Sequence, residues 1–155
     1  MAEPADISPT IIEALYCEAL ELADEARSLF DLSGRLDAVA QDEDLARVAL
    51  SCEALRTTTR MMHALAWLLN QRAYFAGDLT EFQLRRHGRL PPRQGEDDPA
   101  HAAMLPGELR ELVARTQRFY ARMERLDRAW RERFAMHPAA IHRLRDRLGS
   151  AVAAL

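Results

Sequence analysis

The five histidines and two cysteines are the first places to look for chemistry in this 155-residue chain. Cys17 and Cys52 stand alone, without the Cys-x-x-Cys spacing that zinc sites and dithiol redox centres use. Both fall in helical patterns, where isolated cysteines are expected to be small buried apolar residues; a disulfide joining two helices is the less favoured alternative. His137 and His142 flank Pro138, a poor spacing for sharing one metal, and read as surface or structural residues. Metal sites in helical bundles commonly draw on Glu-x-x-His pairs, and the sequence contains none. No glycine-rich loop leads into a helix to cradle phosphate. No Gly-x-Ser-x-Gly elbow presents a nucleophile, and Ser33-Gly34 reads as a helix end. These features predict a protein with no catalytic site, no metal and no cofactor.

Three polar sets remain. His63 lies beside an apolar helical stripe and is expected to be partly buried and hydrogen-bonded. Arg115, Arg118, Arg122 and Arg125 recur at helical spacing with Phe119 and Tyr120 among them, a face that could meet phosphate or nucleic acid. Glu111, Glu124, Asp127 and Glu132 interrupt that face, and pairing with the acidic first helix, which carries Glu13, Glu18, Glu21, Asp24 and Glu25, is the simpler reading. The third set is Arg56, Thr57, Thr58, Thr59 and Arg60. Three successive threonines are poor helix formers and imply a tertiary role. Their hydroxyls could bond back to the backbone, or the arginines could fix register through buried contacts.

A net charge of −3 argues against a general nucleic-acid binder. The charge is uneven: residues 1–55 carry thirteen Asp/Glu and three Arg, and residues 56–155 carry eleven Asp/Glu and eighteen Arg. Every basic residue is arginine, whose planar fork suits protein contacts. The polar, acidic segment Met1 to Asp6 does not resemble a signal peptide. The apolar-rich stretch Met61 to Phe75 is too short and too polar to span a membrane. A cytoplasmic location is expected.

The elements that position these residues are helices. Ala, Leu, Glu and Arg dominate, and β-branched residues are few. Ser8 and Pro9 open a first helix with the stripe Ile12, Leu15, Ala19, Leu22, Ala26, Leu29, and Gly34 is placed to end it. A second helix starts near Asp42 to Asp44 and stops at Gly77; its core stripe is expected to be Leu45, Val48, Cys52, Leu55, Thr59, Met62, Ala66, Leu69, Ala73. Thr80 caps a short helix ending before Gly88, and 88–104 reads as a loop. Pro106 begins a third long helix with the stripe Leu109, Leu112, Thr116, Phe119, Met123, Leu126, Trp130. Its pairs Glu111/Arg115 and Glu124/Arg128 stand at the favourable spacing. A last amphipathic piece presents Ile141, Leu144 and Leu148. The expected fold is all-α: an antiparallel three-helix bundle with short accessory helices, one domain over 9–148, a flexible N-terminus over 1–8 and a tail over 149–155.

The second helix is apolar nearly all round from Arg56 to Phe75, which calls for burial on every side. A second subunit is one way to supply it. The expected homodimer interface is Arg60, Met61, Ala64, Leu65, Trp67, Leu68, Gln71, Tyr74 and Phe75, with Trp67 and Tyr74 as anchors.

The run from Glu53 to Met62, continued by Trp67 to Ala73, resembles the bacterial regulator of CtrA degradation (RcdA) family. So do Leu15-Tyr16, Leu105-Pro106, and Phe119-Tyr120 with Arg125-Leu126-Asp127; the similarity extends from about Ile12 to Phe134. The resemblance implies a dimeric three-helix bundle without enzymatic activity. It implies a proteolysis adaptor that links substrates to the ClpXP protease, in company with a CpdR-like response regulator and a PopA-like cyclic-di-GMP effector. The family has no catalytic motif to carry over.

Overall fold

Ser8 and Pro9 start the first helix as expected. In the computed structural model the Ser8 Oγ accepts from the Ile11 N–H at 3.3 Å, and Pro9 sits at the first helical position, where its missing N–H is no loss. The structure describes residues 7–39, 44–93, 95, 98–135, 145 and 147–152. Ile7 packs against the core ahead of this helix. Helix α1 spans Pro9–Val39 and runs through Gly34. Glycine permits a left-handed stop without imposing one, and inside a helix it costs only about 1 kcal/mol relative to alanine.

Helix α2 spans Asp44–Phe75, about 48 Å at the standard rise. Its end is a Schellman motif. Gly77 adopts a left-handed φ of 86°, its N–H donates to the Tyr74 carbonyl, and the Asp78 N–H donates to the Ala73 carbonyl. Thr80 and Gln83 then form a capping box on α3, Glu81–His87. At Gly88, after α3, a Cβ would lie 2.6 Å from the Leu84 carbonyl oxygen, so the turn tolerates only glycine without a shift.

The expected loop over 88–104 contains a helix, α4, at Pro99–Met104. Asp98 caps it by accepting from the Ala100 N–H at 2.9 Å, and Pro99 is its first residue. Asp-Pro is a helix start as well as a loop signal, and the neighbouring acidic run had hidden it. Helix α5 follows at Gly107–Ala135. Ile141 and Leu144 lie outside the described residues; residues 147–152 are helical, and Leu148 and Val152 among them are exposed.

The fold is an all-α bundle of α1, α2 and α5, and no strand occurs among the described residues. Helix α1 runs antiparallel to both partners: Glu18 pairs with Arg122 and Glu25 with Arg115. Helices α2 and α5 run parallel, since Arg60 meets Thr116 and Trp67 meets Asp127. The connection makes that orientation possible by running back along the bundle. Leu90 joins the main core, and Leu105 packs with Leu50 near the start of α2. The stripes expected for α1 and α5 are the buried ones. Ile12, Leu15, Ala19, Leu22 and Ala26 face Leu112, Phe119, Tyr120 and Met123.

Candidate protein-docking face

The side of α2 turned into the bundle is not the one the spacing predicts. Ala49, Leu50, Met61, Ala64, Trp67 and Leu68 are buried, together with Glu53, Thr57 and Gln71. Apart from Gln71, whose amide atoms have no partner among the described residues, the polar members of this face are met by partners. The Trp67 indole N–H donates to Asp127 Oδ1 at 3.0 Å, and Arg131 holds the same carboxylate at 3.1 Å. Arg60 Nη1 donates to Thr116 Oγ1 at 2.9 Å, and Thr57 Oγ1 donates to Glu53 Oε1 at 3.3 Å. Thr57 is buried in the bundle, but its hydrogen bonds run to Glu53 and Arg60 of its own helix.

The stripe expected in the core lies on the opposite side of α2, in contact with solvent. Leu45 is 72% exposed, Leu55 69% and Met62 64%, and Val48, Ala66 and Leu69 are exposed as well. Cys52, Thr59 and Ala73 complete it, half-buried. The steps from Leu45 to Ala73 alternate three and four residues over about 42 Å, the spacing of a two-helix seam. Both faces of α2 are apolar at helical period, and period alone cannot say which one the chain covers. The inner face carries Glu53, Thr57, Arg60 and Gln71, which makes it look the more polar of the two.

This geometry corrects the interface residues read from sequence. Met61, Ala64, Trp67, Leu68 and Gln71 are buried inside their own chain and present no surface to a partner. Arg60 and Leu65 are half-buried, Arg60 against Thr116 and Leu65 against the main core. Tyr74 is half-buried and Phe75 is exposed at the end of the helix, their rings tilted at 60° with centroids 5.2 Å apart. Residues that the expected interface lacked are Leu45, Val48, Leu55, Met62 and Leu69. The unbroken heptad was the signal for them. Beside it, Ala23 and Phe30 of α1 and Ala54, Met62 and Leu65 of α2 line an apolar groove that continues the face.

The other polar sets resolve as follows. Arg115 donates twice to Glu25, at 2.8 and 2.9 Å, and Arg122 donates to Glu18, so half of the arginine ladder is spent on α1. Arg115 takes a partner other than Glu111, and Glu124 accepts from Arg93 at 2.6 Å, because the carboxylates and guanidiniums brought close by packing compete with in-helix neighbours. Arg72 pairs with Glu13 at 2.6 Å and lies over the Tyr16 ring. His63 is half-buried beside a polar pocket. Cys17 and Cys52 are free thiols, and Cys17 is exposed, not buried as its pattern suggested. His137 and His142 lie outside the described residues. Among the described residues, no three His, Cys, Asp or Glu side chains are grouped as metal ligands, and no helix is long and apolar enough to cross a membrane.

The fold and its uncovered heptad define a helical bundle with a second apolar face turned outward. The chain belongs to the family described as "Protein of unknown function (DUF1465)", which it matches over residues 4–152. Comparison with curated proteins and with solved structures gives no match.

Proposed function

We propose that this protein is a non-enzymatic, homodimeric adaptor of regulated proteolysis, of the regulator of CtrA degradation type. The uncovered heptad on α2 is the observation that carries the protein-binding part of this reading. An exposed apolar stripe of this length marks an interaction site, and a/d spacing is self-complementary, so the occupant is α2 of a second copy. The proteolytic part rests on the likeness at Glu53 to Ala73 and on family membership, since RcdA belongs to the same family. In this reading the dimer works in the cytoplasm, and its remaining surface links substrates to ClpXP with a CpdR-like response regulator and a PopA-like effector. The nucleic-acid alternative is weakened by Arg115 and Arg122, whose guanidiniums are engaged with α1 carboxylates.

Affinity purification of the full chain from its native cell tests the proposal. Co-purification of protease subunits or a receiver-domain protein, lost on titration with untagged protein, is the expected result. Recovery of nucleic acid alone overturns it.

A further inference from the structure

The Arg56 to Arg60 segment does more than set helix register. With α5 and the connection after α3 it walls a pocket of about 130 Å³. Arg56 and Arg60 of α2 and Arg93 of the connection converge there, joined by Thr59, Gln117 and Tyr120. No carboxylate is among the described residues that line it. Arg56 Nη1 is shut off from solvent and has no hydrogen-bond partner among the described residues. The Arg56 side chain, 31% exposed, is ion-paired with the buried Glu53 carboxylate at 3.7 Å, too long for a hydrogen bond. Arg60 is held in place by Thr116, and the Tyr120 hydroxyl donates to the Pro91 carbonyl, which fixes the strand of chain leading to Arg93.

From this geometry we infer that the pocket is a binding site for a single phosphate group, as inorganic phosphate or a small phosphomonoester. A buried guanidinium N–H without a hydrogen-bond acceptor is costly, and an anion seated in the pocket supplies that acceptor. Even with Arg93 Nε on Glu124 and Arg60 Nη1 on Thr116, three guanidiniums carry more N–H donors than the two oxygens of a carboxylate can accept. A phosphate brings three acceptor oxygens, nearly two negative charges, and the geometry arginine forks match. The volume lies well below the roughly 300 Å³ at which drug-sized ligands begin to fit, so one phosphate group fits and a nucleotide does not.

The test is thermal unfolding of the full-length protein in inorganic phosphate, in phosphoserine, and in chloride or acetate of equal ionic strength. Inorganic phosphate at tenfold its dissociation constant is expected to raise Tm by about 3–6 °C over chloride. An equal rise with phosphoserine identifies monoesters as ligands; a rise with phosphate alone identifies the free ion. Arg56→Gln is expected to abolish the rise, read against the variant's own Tm in chloride, which falls because the buried Glu53 loses its ion-pair partner. Arg93→Gln, on the exposed connection, is expected to diminish the rise and serves if the first variant fails to fold. Equal Tm values in phosphate and chloride, or the full rise retained in the variants, overturn the inference.

Discussion

Two leucines on α2 separate the inner from the outer face. Leu68 is 0% exposed and Leu55 is 69% exposed. Leu68→Ala empties a site in a packed core, which costs about 2–5 kcal/mol, a large part of a domain's total stability of about 5–15 kcal/mol. Leu55→Ala removes little that the single chain buries, so the monomer's stability should be nearly unchanged. In the proposed dimer the remaining exposed part of Leu55 would be covered. Full burial of a leucine is worth about 1.5–3 kcal/mol, so covering the remainder is worth about 1–2 kcal/mol per copy. A two-fold interface counts each substitution twice, giving about 2–4 kcal/mol, or a thirty- to thousand-fold rise in Kd. Sedimentation equilibrium over a dilution series reads Kd, and urea unfolding in the dilute, monomeric range reads stability. A wild-type chain that stays monomeric at high concentration refutes the reasoning, as does a Leu55→Ala chain that dimerises like wild type. So does a Leu55→Ala chain destabilised as much as Leu68→Ala. Trp67 is unsuitable for the same purpose: its burial means that Trp67→Asp unfolds the chain whatever its oligomeric state.

Asp127→Ala should cost about 1–3 kcal/mol in urea unfolding because it orphans the buried Trp67 indole N–H, whereas Asp127→Asn keeps an acceptor and should cost less; equal losses would show that the indole bond contributes nothing. Gln71 is buried with neither amide atom partnered among the described residues, so Gln71→Met should stabilise the chain by about 1–2 kcal/mol, and a loss would reveal a bound water satisfying the amide. Burial, reinforced by the Glu124 charge, pushes the Tyr120 hydroxyl up to about 12 from an ordinary 10. The unfolded chain therefore releases that proton first: the contribution is intact below pH 10 and is lost as pH rises toward 12. Tyr120→Phe should flatten this alkaline fall in unfolding free energy, and because the chain has no lysine few other groups obscure the window.

The caps and stops of this fold were legible in its sequence because they are local. Ser8-Pro9, Gly77 and the Thr80/Gln83 box each act within a few residues of themselves. The inner stripes of α1 and α5 were legible because each of those helices has a single dominant apolar face. Helix α2 has two, and the choice between them is made by Trp67 finding Asp127 and Arg60 finding Thr116, pairs separated by about sixty residues that no local pattern records. The arginine pocket was hidden for the same reason: Arg56 and Arg60 are neighbours in sequence, but Arg93 joins them only through the return path of the connection.

The two faces of α2 also make its length a fixed quantity. Each residue advances the helix by about 100°. Deleting one residue near Thr59 would swing the C-terminal half around by that angle, taking Leu68 and Trp67 off the core and Met62 and Leu69 off the outer stripe in one step. Removing seven residues would restore both faces to within about 20°, at the expense of shortening the seam by one repeat. Insertions and deletions in this helix should therefore be tolerated only in whole heptads, whereas the connection between α3 and α4 can change length one residue at a time wherever Leu90, Arg93 and the Asp98 cap keep their places.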